Sequence, residues 1–388
     1  MDILFSILFW LSLAGVLLTY LIYPLWMLVF PGTQRKFNEP SEWPTIEVIF
    51  AAHNEEKVIR EKILSTFNTS YPLEKLTVHV GSDRSNDQTE VILKEMIAEF
   101  PGLRYSVNEE RIGKSGTINR LVRESEAEVL IATDANILFR SDTLKELVQP
   151  FTDPEIVLTG GVIHYRRQGG KGISQQEDSY LNIENRIKFA ESRKWFAPMG
   201  VEGGCYAVRR SEFPFIPPLT FMEDFFVTLA LLSRGKKVVM AEQAYVLEDV
   251  STQRKEEFKR KTRISIGNFQ NLSRFFAQLW RRPYPIGWAF LCHKILRWLT
   301  PVLLLVNGIS TLVLWSLGQP LGWLLLLQIL VLLSGMIELT LEKMGFHFRA
   351  LRFVSHFIWM NVALFWGLIK FLIGVKSNVW QPTQRNQE

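Results

Sequence analysis

Two stretches without a single charged side chain limit what this chain can fold into. No Asp, Glu, Lys or Arg occurs from Ile3 to Gln34, and the segment ILFSILFWLSLAGVLLTYLIYPLWMLVF fills most of that interval. That is longer than the roughly 20 apolar residues a helix needs to cross a bilayer. The second stretch, Trp298 to Ile337, is too long for one crossing and is broken by LGQP at 317–320, a turn signal between two spans. A third apolar block, Phe353 to Ile369, runs on toward Val375 past Lys370. A cleaved export signal wants a basic start, a shorter apolar core and a small-residue cleavage site, whereas only Asp2 precedes the first block, so the block is read as a retained membrane helix.

These blocks predict one N-terminal and about three C-terminal transmembrane helices around a polar middle. The middle and the loop EKMGFHFRALR carry the basic residues, among them Lys343, Arg349 and Arg352, while the N-terminus and LGQP carry none. Basic loops stay inside, so the middle domain is expected in the cytoplasm of a multi-pass inner-membrane protein; Lys376 and Arg385 weaken an outside assignment for the tail. The boundaries follow: 1–33 membrane helix, 44–280 cytoplasmic domain, 281–297 interfacial helix rich in aromatic and basic residues, 298–376 membrane helices, 377–388 tail. Cys205 and Cys292 are too few and too far apart for a disulfide framework or a zinc site. The pI of about 9.1 does not point to nucleic acid, because acids and bases alternate along the middle domain.

Between Pro44 and Arg282 the chain alternates β-rich runs (TIEVIFAA, LTVHVGS, LRYSV, VLIATD, IVLTGGVIHY) with helical ones, the pattern of an α/β fold with a mostly parallel sheet flanked by helices. Such sheets bind ligands beyond the carboxyl ends of their strands, so the residues of interest are His53-Asn54-Glu55, Asp83, and Thr133 to Asn136. Several have plain structural readings. Asn54 suits a helix cap, Asp87 with Glu90 a capping box, and Thr220 with Glu223 another. Glu184, Lys188 and Glu191 suit a solvated helix face. Asp83 and Asp134 are harder to explain that way, since paired carboxylates at one sheet edge suit Mg²⁺ or Mn²⁺ sharing its shell with phosphates. RIGKSGTIN offers Lys114 and helix-opening amides to an anion, or is an ordinary glycine turn. Gly203-Gly204 is either a close approach to substrate or a turn.

In order, FAAHNEE, VGSDRSNDQT, RIGKSGTIN, IATDAN, YLNIENRIKFAES, VEGGCYAVRRSEF and MEDF, followed by HKILRWLTP and the W-x-x-T-x-R of Trp380 to Arg385, resemble the membrane-embedded family 2 glycosyltransferases, relatives of cellulose, chitin-oligosaccharide, hyaluronan and exopolysaccharide synthases. The resemblance implies a GT-A fold, a nucleotide-sugar donor with uridine preferred, a divalent cation (Mg²⁺ or Mn²⁺) and inversion at the anomeric carbon. By position it implies Asp224 as general base and Arg263 as neutraliser of the leaving diphosphate. Ala52, His53, Asn54, Glu55, Asp83, Lys114, Asp134, Ala135 and Arg260 would surround the nucleotide sugar, and Gly203, Gly204 and Glu223 the acceptor. Asp134 and Asn136 would hold the metal. The implied partners are a glycan or glycolipid acceptor and membrane lipid, with room for polysaccharide-secretion proteins. This sequence departs from the family at Asn136, where a second acid is usual, at Arg84, where glycine is frequent, and at RKTRI (260–264), which lacks the Gln and Trp of Q-x-x-R-W. The last departure argues against long-chain polymerisation. The competing readings are a processive synthase, a non-catalytic nucleotide-sugar-binding scaffold, and a polyprenyl-phosphate sugar transferase that needs no base.

Overall fold

The computed structural model describes residues 1–166, 174–249, 254–344, 346 and 348–375. The C-terminal W-x-x-T-x-R signature and the tail with Lys376 and Arg385 lie outside the described residues. Eight strands build one sheet: β1 (Ile46–Ala52), β2 (Leu76–Ser82), β3 (Leu103–Val107), β4 (Val129–Ala132), β5 (Leu138–Phe139), β6 (Ile156–Arg166), β7 (Tyr206–Arg209) and β8 (Lys237–Asp249). Their spatial order is β3-β2-β1-β4-β7-β6-β8-β5.

The sheet is parallel in its first half and mixed in its second. β1 pairs parallel with β2 and β4, and β2 with β3, as the alternation of β and helical runs predicts. β7 then enters antiparallel between β4 and β6, β6 and β8 run parallel, and β5 closes the edge antiparallel to β8. Every residue of β1 is buried, which requires cover on both faces. Side-chain alternation delivers it: Ile49 joins the core cluster of Leu130, Ala132 and Phe225, while Val48 and Phe50 join that of Ile63, Leu93 and Leu144 on the other face. Order reverses between β1 and β4, so a crevice opens where the carboxyl ends of β1, β2 and β4 meet.

Among the described residues two helices are long and apolar enough to cross a membrane, Asp2–Val29 and Ala350–Ile373. A third span is available if Tyr284–Trp298 and Thr300–Ser316, bent by 66° to one another, count as one; Gly322–Glu338 is apolar but shorter.

The first apolar helix is tied to the sheet domain through buried charge rather than grease alone. Tyr23 Oη donates to Glu191 Oε1 at 2.7 Å, and His293 Nδ1 lies 2.7 Å from the same oxygen. Glu184 accepts from Lys294 Nζ at 2.6 Å and from Arg297 Nη1 at 2.5 Å, and Lys188 pairs with Glu202. Glu184, Lys188 and Glu191 therefore do not form a solvated face. All three are buried, on the Ser174–Trp195 helix where it meets Tyr23 of the first apolar helix and the 293–297 segment. Burial opposes ionisation of Glu184, but His293, Lys294 and Arg297 outweigh it and hold the carboxyl well below its ordinary range.

Candidate active site

The loops after β1, β2 and β4 are stitched to one another by their own polar atoms. The Asp83 carboxylate is fully buried and accepts from Asn108 Nδ2 at 2.8 Å and from the backbone N–H groups of Ile112 at 2.9 Å and Gly113 at 3.1 Å. Two amides opening the Gly113–Glu124 helix, which the sequence offers to an anion, are thus taken by Asp83. His53 Nδ1–H donates to the Asp83 carbonyl at 2.9 Å. Asn54 does not cap the following helix; its Oδ1 accepts from the Asn86 N–H at 2.9 Å, and its φ of 57° is left-handed. The Glu55 N–H donates to Thr89 Oγ1 at 2.9 Å.

The Asp87–Glu90 capping box does not form. Asp87 takes the N–H and hydroxyl of Thr89 and the N–H of Glu56, while Glu90 accepts from Ser82 Oγ at 2.6 Å. Arg84, where the family resemblance puts glycine, has a φ of 56°, the conformation for which glycine is favoured. The backbone shape is kept although the residue is not, and Arg84 Nη1 reaches the Glu109 carbonyl at 2.5 Å.

Lys114 joins the two sides of the crevice. Its Nζ lies 2.5 Å from Asp134 Oδ1, beyond the end of β4, and it also pairs with Glu223 at the start of the Glu223–Ser233 helix. Burial lowers the lysine's affinity for its proton, yet the two carboxylates more than offset that, and its pKa is raised above the ordinary value. Glu223 is consequently a partner of Lys114 and not the acid of a T-x-x-E box; the Thr220 hydroxyl donates to Pro217 O instead. The next residue, Asp224, is buried in the first turn of the same helix. Gly203 lies against it so closely that a β-carbon there would sit 2.9 Å from Asp224 Oδ2. Gly204 is equally confined, with its would-be β-carbon 2.8 Å from Ile137. The two glycines are close-approach positions, and what they approach is the protein's own site.

Asp134 is about one-third exposed in its side chain, at 36%. The Ala135 side chain is buried, and Asn136 Nδ2 donates to Glu248 Oε1 at 3.4 Å. No group of three or more His, Cys, Asp or Glu side chains is clustered as a metal cage among the described residues. One carboxylate, one side-chain amide and a nearby Glu248 are hard oxygen donors, the sparse set that suits Mg²⁺ or Mn²⁺ completing its shell on a diphosphate. Arg260 and Arg263 lie on the Arg254–Trp280 helix, Arg260 Nη1 being 3.7 Å from Glu257 Oε2 and Arg263 exposed. Farther along, Gly267 packs on Met222, and Asn271 Nδ2 donates to the Met222 carbonyl at 3.2 Å, just ahead of Asp224.

The fold that carries this crevice has known counterparts. Residues 47–213 match the family model "Glycosyl transferase family 2". That segment is a glycosyltransferase family 2 domain. Among curated relatives it is 26% identical to the probable glycosyltransferase YdaM of Bacillus subtilis (62% of this chain, 59% of that one). It is 23% identical to an N-acetylglucosaminyltransferase of Rhizobium sp. strain N33 (55% and 53%). A shorter match, 31% identical, covers 28% of this chain and 24% of a beta-monoglucosyldiacylglycerol synthase of Trichormus variabilis. The chain spans less than two thirds of the length of each of these relatives. In fold it resembles the mannosyltransferase PcManGT of Pyrobaculum calidifontis, solved with GDP-Man and Mn²⁺, at a TM-score of 0.70 and 20% identity over 94% of this chain and 99% of that one. The fold is GT-A.

Beyond the matched segment, the protonation of Asp224 is set by its surroundings. Burial first, and then the Glu223 charge, raise its carboxyl to about 7, against the opposing effect of Lys114. A carboxyl accepts a proton only above its pKa, so if Asp224 is the base of the reaction, kcat/KM falls as pH drops through about 7. Glu223→Gln removes a charge that raises this pKa, and its acid limb should move to lower pH; an unmoved limb would show that another group titrates.

Proposed function

We propose that the protein is an inverting glycosyltransferase. It moves a sugar from a nucleotide sugar, with a uridine diphosphate donor favoured by family likeness, to a hydroxyl of a lipid-linked or growing glycan at the cytoplasmic membrane face. The observation that supports the reading is the double contact of Lys114 with Asp134 and with Glu223, the residue before Asp224, which brings both sides of one crevice to a single ammonium.

In this mechanism Asp224 accepts the proton of the acceptor hydroxyl as its oxygen bonds to the anomeric carbon. The bond from that carbon to the diphosphate oxygen breaks, and the electron pair leaves with the nucleoside diphosphate. Asp134 and Asn136 would hold Mg²⁺ or Mn²⁺, which supplies positive charge to the diphosphate when bound. Lys114 contributes a fixed ammonium at the same edge, and Arg263 a second cation. His53, Asn54, Glu55 and Asp83 shape the nucleotide side through the loop bonds described above. Gly203 keeps the space beside Asp224 clear of a side chain.

The test is purified full-length protein in detergent, offered UDP- and GDP-sugars with and without Mn²⁺ or Mg²⁺, while free nucleoside diphosphate is followed. Metal-dependent release from one donor, increased by a glycolipid or oligosaccharide acceptor, is expected. Donor binding without release under every condition would favour a scaffold instead.

A further inference from the structure

A lysine with no solvent exposure lies beneath the metal-loop edge of the crevice. Lys62, on the Ile59–Phe67 helix, is 0% exposed. Its Nζ donates to Thr133 Oγ1 at 2.9 Å and to the Ile137 carbonyl at 2.7 Å. Those two residues bracket the turn that carries Asp134 and Asn136, a turn closed by the Ile137 N–H donating to the Asp134 carbonyl at 3.2 Å. The Thr133 hydroxyl donates onward to the Gly204 carbonyl at 2.8 Å. Gly204 follows Gly203, which abuts Asp224, so one ammonium is linked to both walls of the crevice. The Phe139 ring, 3.8 Å from Nζ, covers another side of it.

Burying an ammonium is costly, and a leucine or methionine would fill this space without that cost. Burial lowers the pKa of Lys62 to about 7, with the Asp134 carboxylate opposing. What the lysine supplies that an apolar residue cannot is a pair of directed hydrogen bonds to the two ends of one short turn.

We propose that Lys62 is a positioning residue for the cation and diphosphate site: by holding Thr133 and Ile137 it fixes where Asp134 and Asn136 stand relative to the Gly203–Gly204 edge. The inference rests on the reading of Asp134 and Asn136 as the donor-side metal ligands. Residues that orient ligands from behind are typically worth 10–100-fold in metal affinity.

The experiment titrates full-length protein in detergent with Mn²⁺ and UDP, and separately with Mn²⁺ and GDP, following free Mn²⁺ by electron paramagnetic resonance. Lys62→Met should weaken Mn²⁺ retention by about 10–100-fold. Thr133→Val, which removes one acceptor and the link to Gly204 while disturbing less of the core, should weaken it less. Thr133→Ser keeps the hydroxyl and should restore it, a rescue that simple loss of packing would not give. Wild-type retention in both Lys62→Met and Thr133→Val overturns the positioning role. Should Lys62→Met fail to fold, the Val and Ser variants decide the matter alone. A wild-type protein that retains no Mn²⁺ with either nucleotide overturns the functional reading itself, and this inference with it.

Discussion

Asp224→Asn is expected to lower turnover by about 10²–10⁴-fold while leaving nucleotide binding close to wild type. The substitution is nearly isosteric and leaves the Glu223–Ser233 helix its backbone bonds, including the Thr228 hydroxyl on the residue 224 carbonyl at 2.9 Å. It removes only the capacity to take a proton. Because burial already pushes the Asp224 carboxyl to about 7, a neutral amide there relieves a buried charge, and no loss of fold should confuse the comparison. Release of nucleoside diphosphate at saturating donor and acceptor, set beside equilibrium donor binding, checks it. A variant that turns over at near wild-type rate would mean that the acceptor arrives ionised, as a lipid phosphate does, and the base would have no role.

The second large effect concerns the junction between the sheet domain and the apolar helices. Glu184→Ala should destabilise the folded protein by about 3–5 kcal/mol, because it takes the carboxylate from Lys294 and Arg297 in a site already out of water. Breaking a buried pair from one side is expensive even where the intact pair adds little. The surface pair Arg60–Glu95 provides the control: with side chains 47% and 59% exposed, Glu95→Ala should change stability by no more than about 1 kcal/mol. Thermal unfolding of the three proteins in one detergent separates them. Equal midpoints for Glu184→Ala and Glu95→Ala would show that the junction is held by apolar contact alone.

The strands of the first half-sheet were legible because each is a short β-rich run between helical ones, and the crevice follows from where those runs end. The β7 insertion was not, since the four residues of YAVR carry no mark of direction and their antiparallel course depends on partners far away in sequence. Capping boxes failed at both Asp87–Glu90 and Thr220–Glu223 for a shared reason: the acids found stronger partners across the crevice or in a neighbouring loop than in their own helix. Lys62 and Glu184 were missed because a charged residue on an amphipathic helix is ordinarily solvated. A hint for Glu184 was present in HKILRW, whose His293, Lys294 and Arg297 stand in an otherwise apolar segment and call for buried acids. Nothing comparable marks Lys62, whose acceptors lie about 70 residues away at Thr133 and Ile137.

The central claim is a single displacement at the anomeric carbon, with the Asp224 carboxylate drawing the acceptor's proton across the crevice from the departing diphosphate. The anomeric configuration of the first product, read by proton NMR from the coupling between H1 and H2 or, where that does not discriminate, from the one-bond C1–H1 coupling, tests it most directly. A configuration opposite to that of the donor sugar is expected. Retention of the donor's configuration in a product whose formation still depends on Asp224 would contradict it.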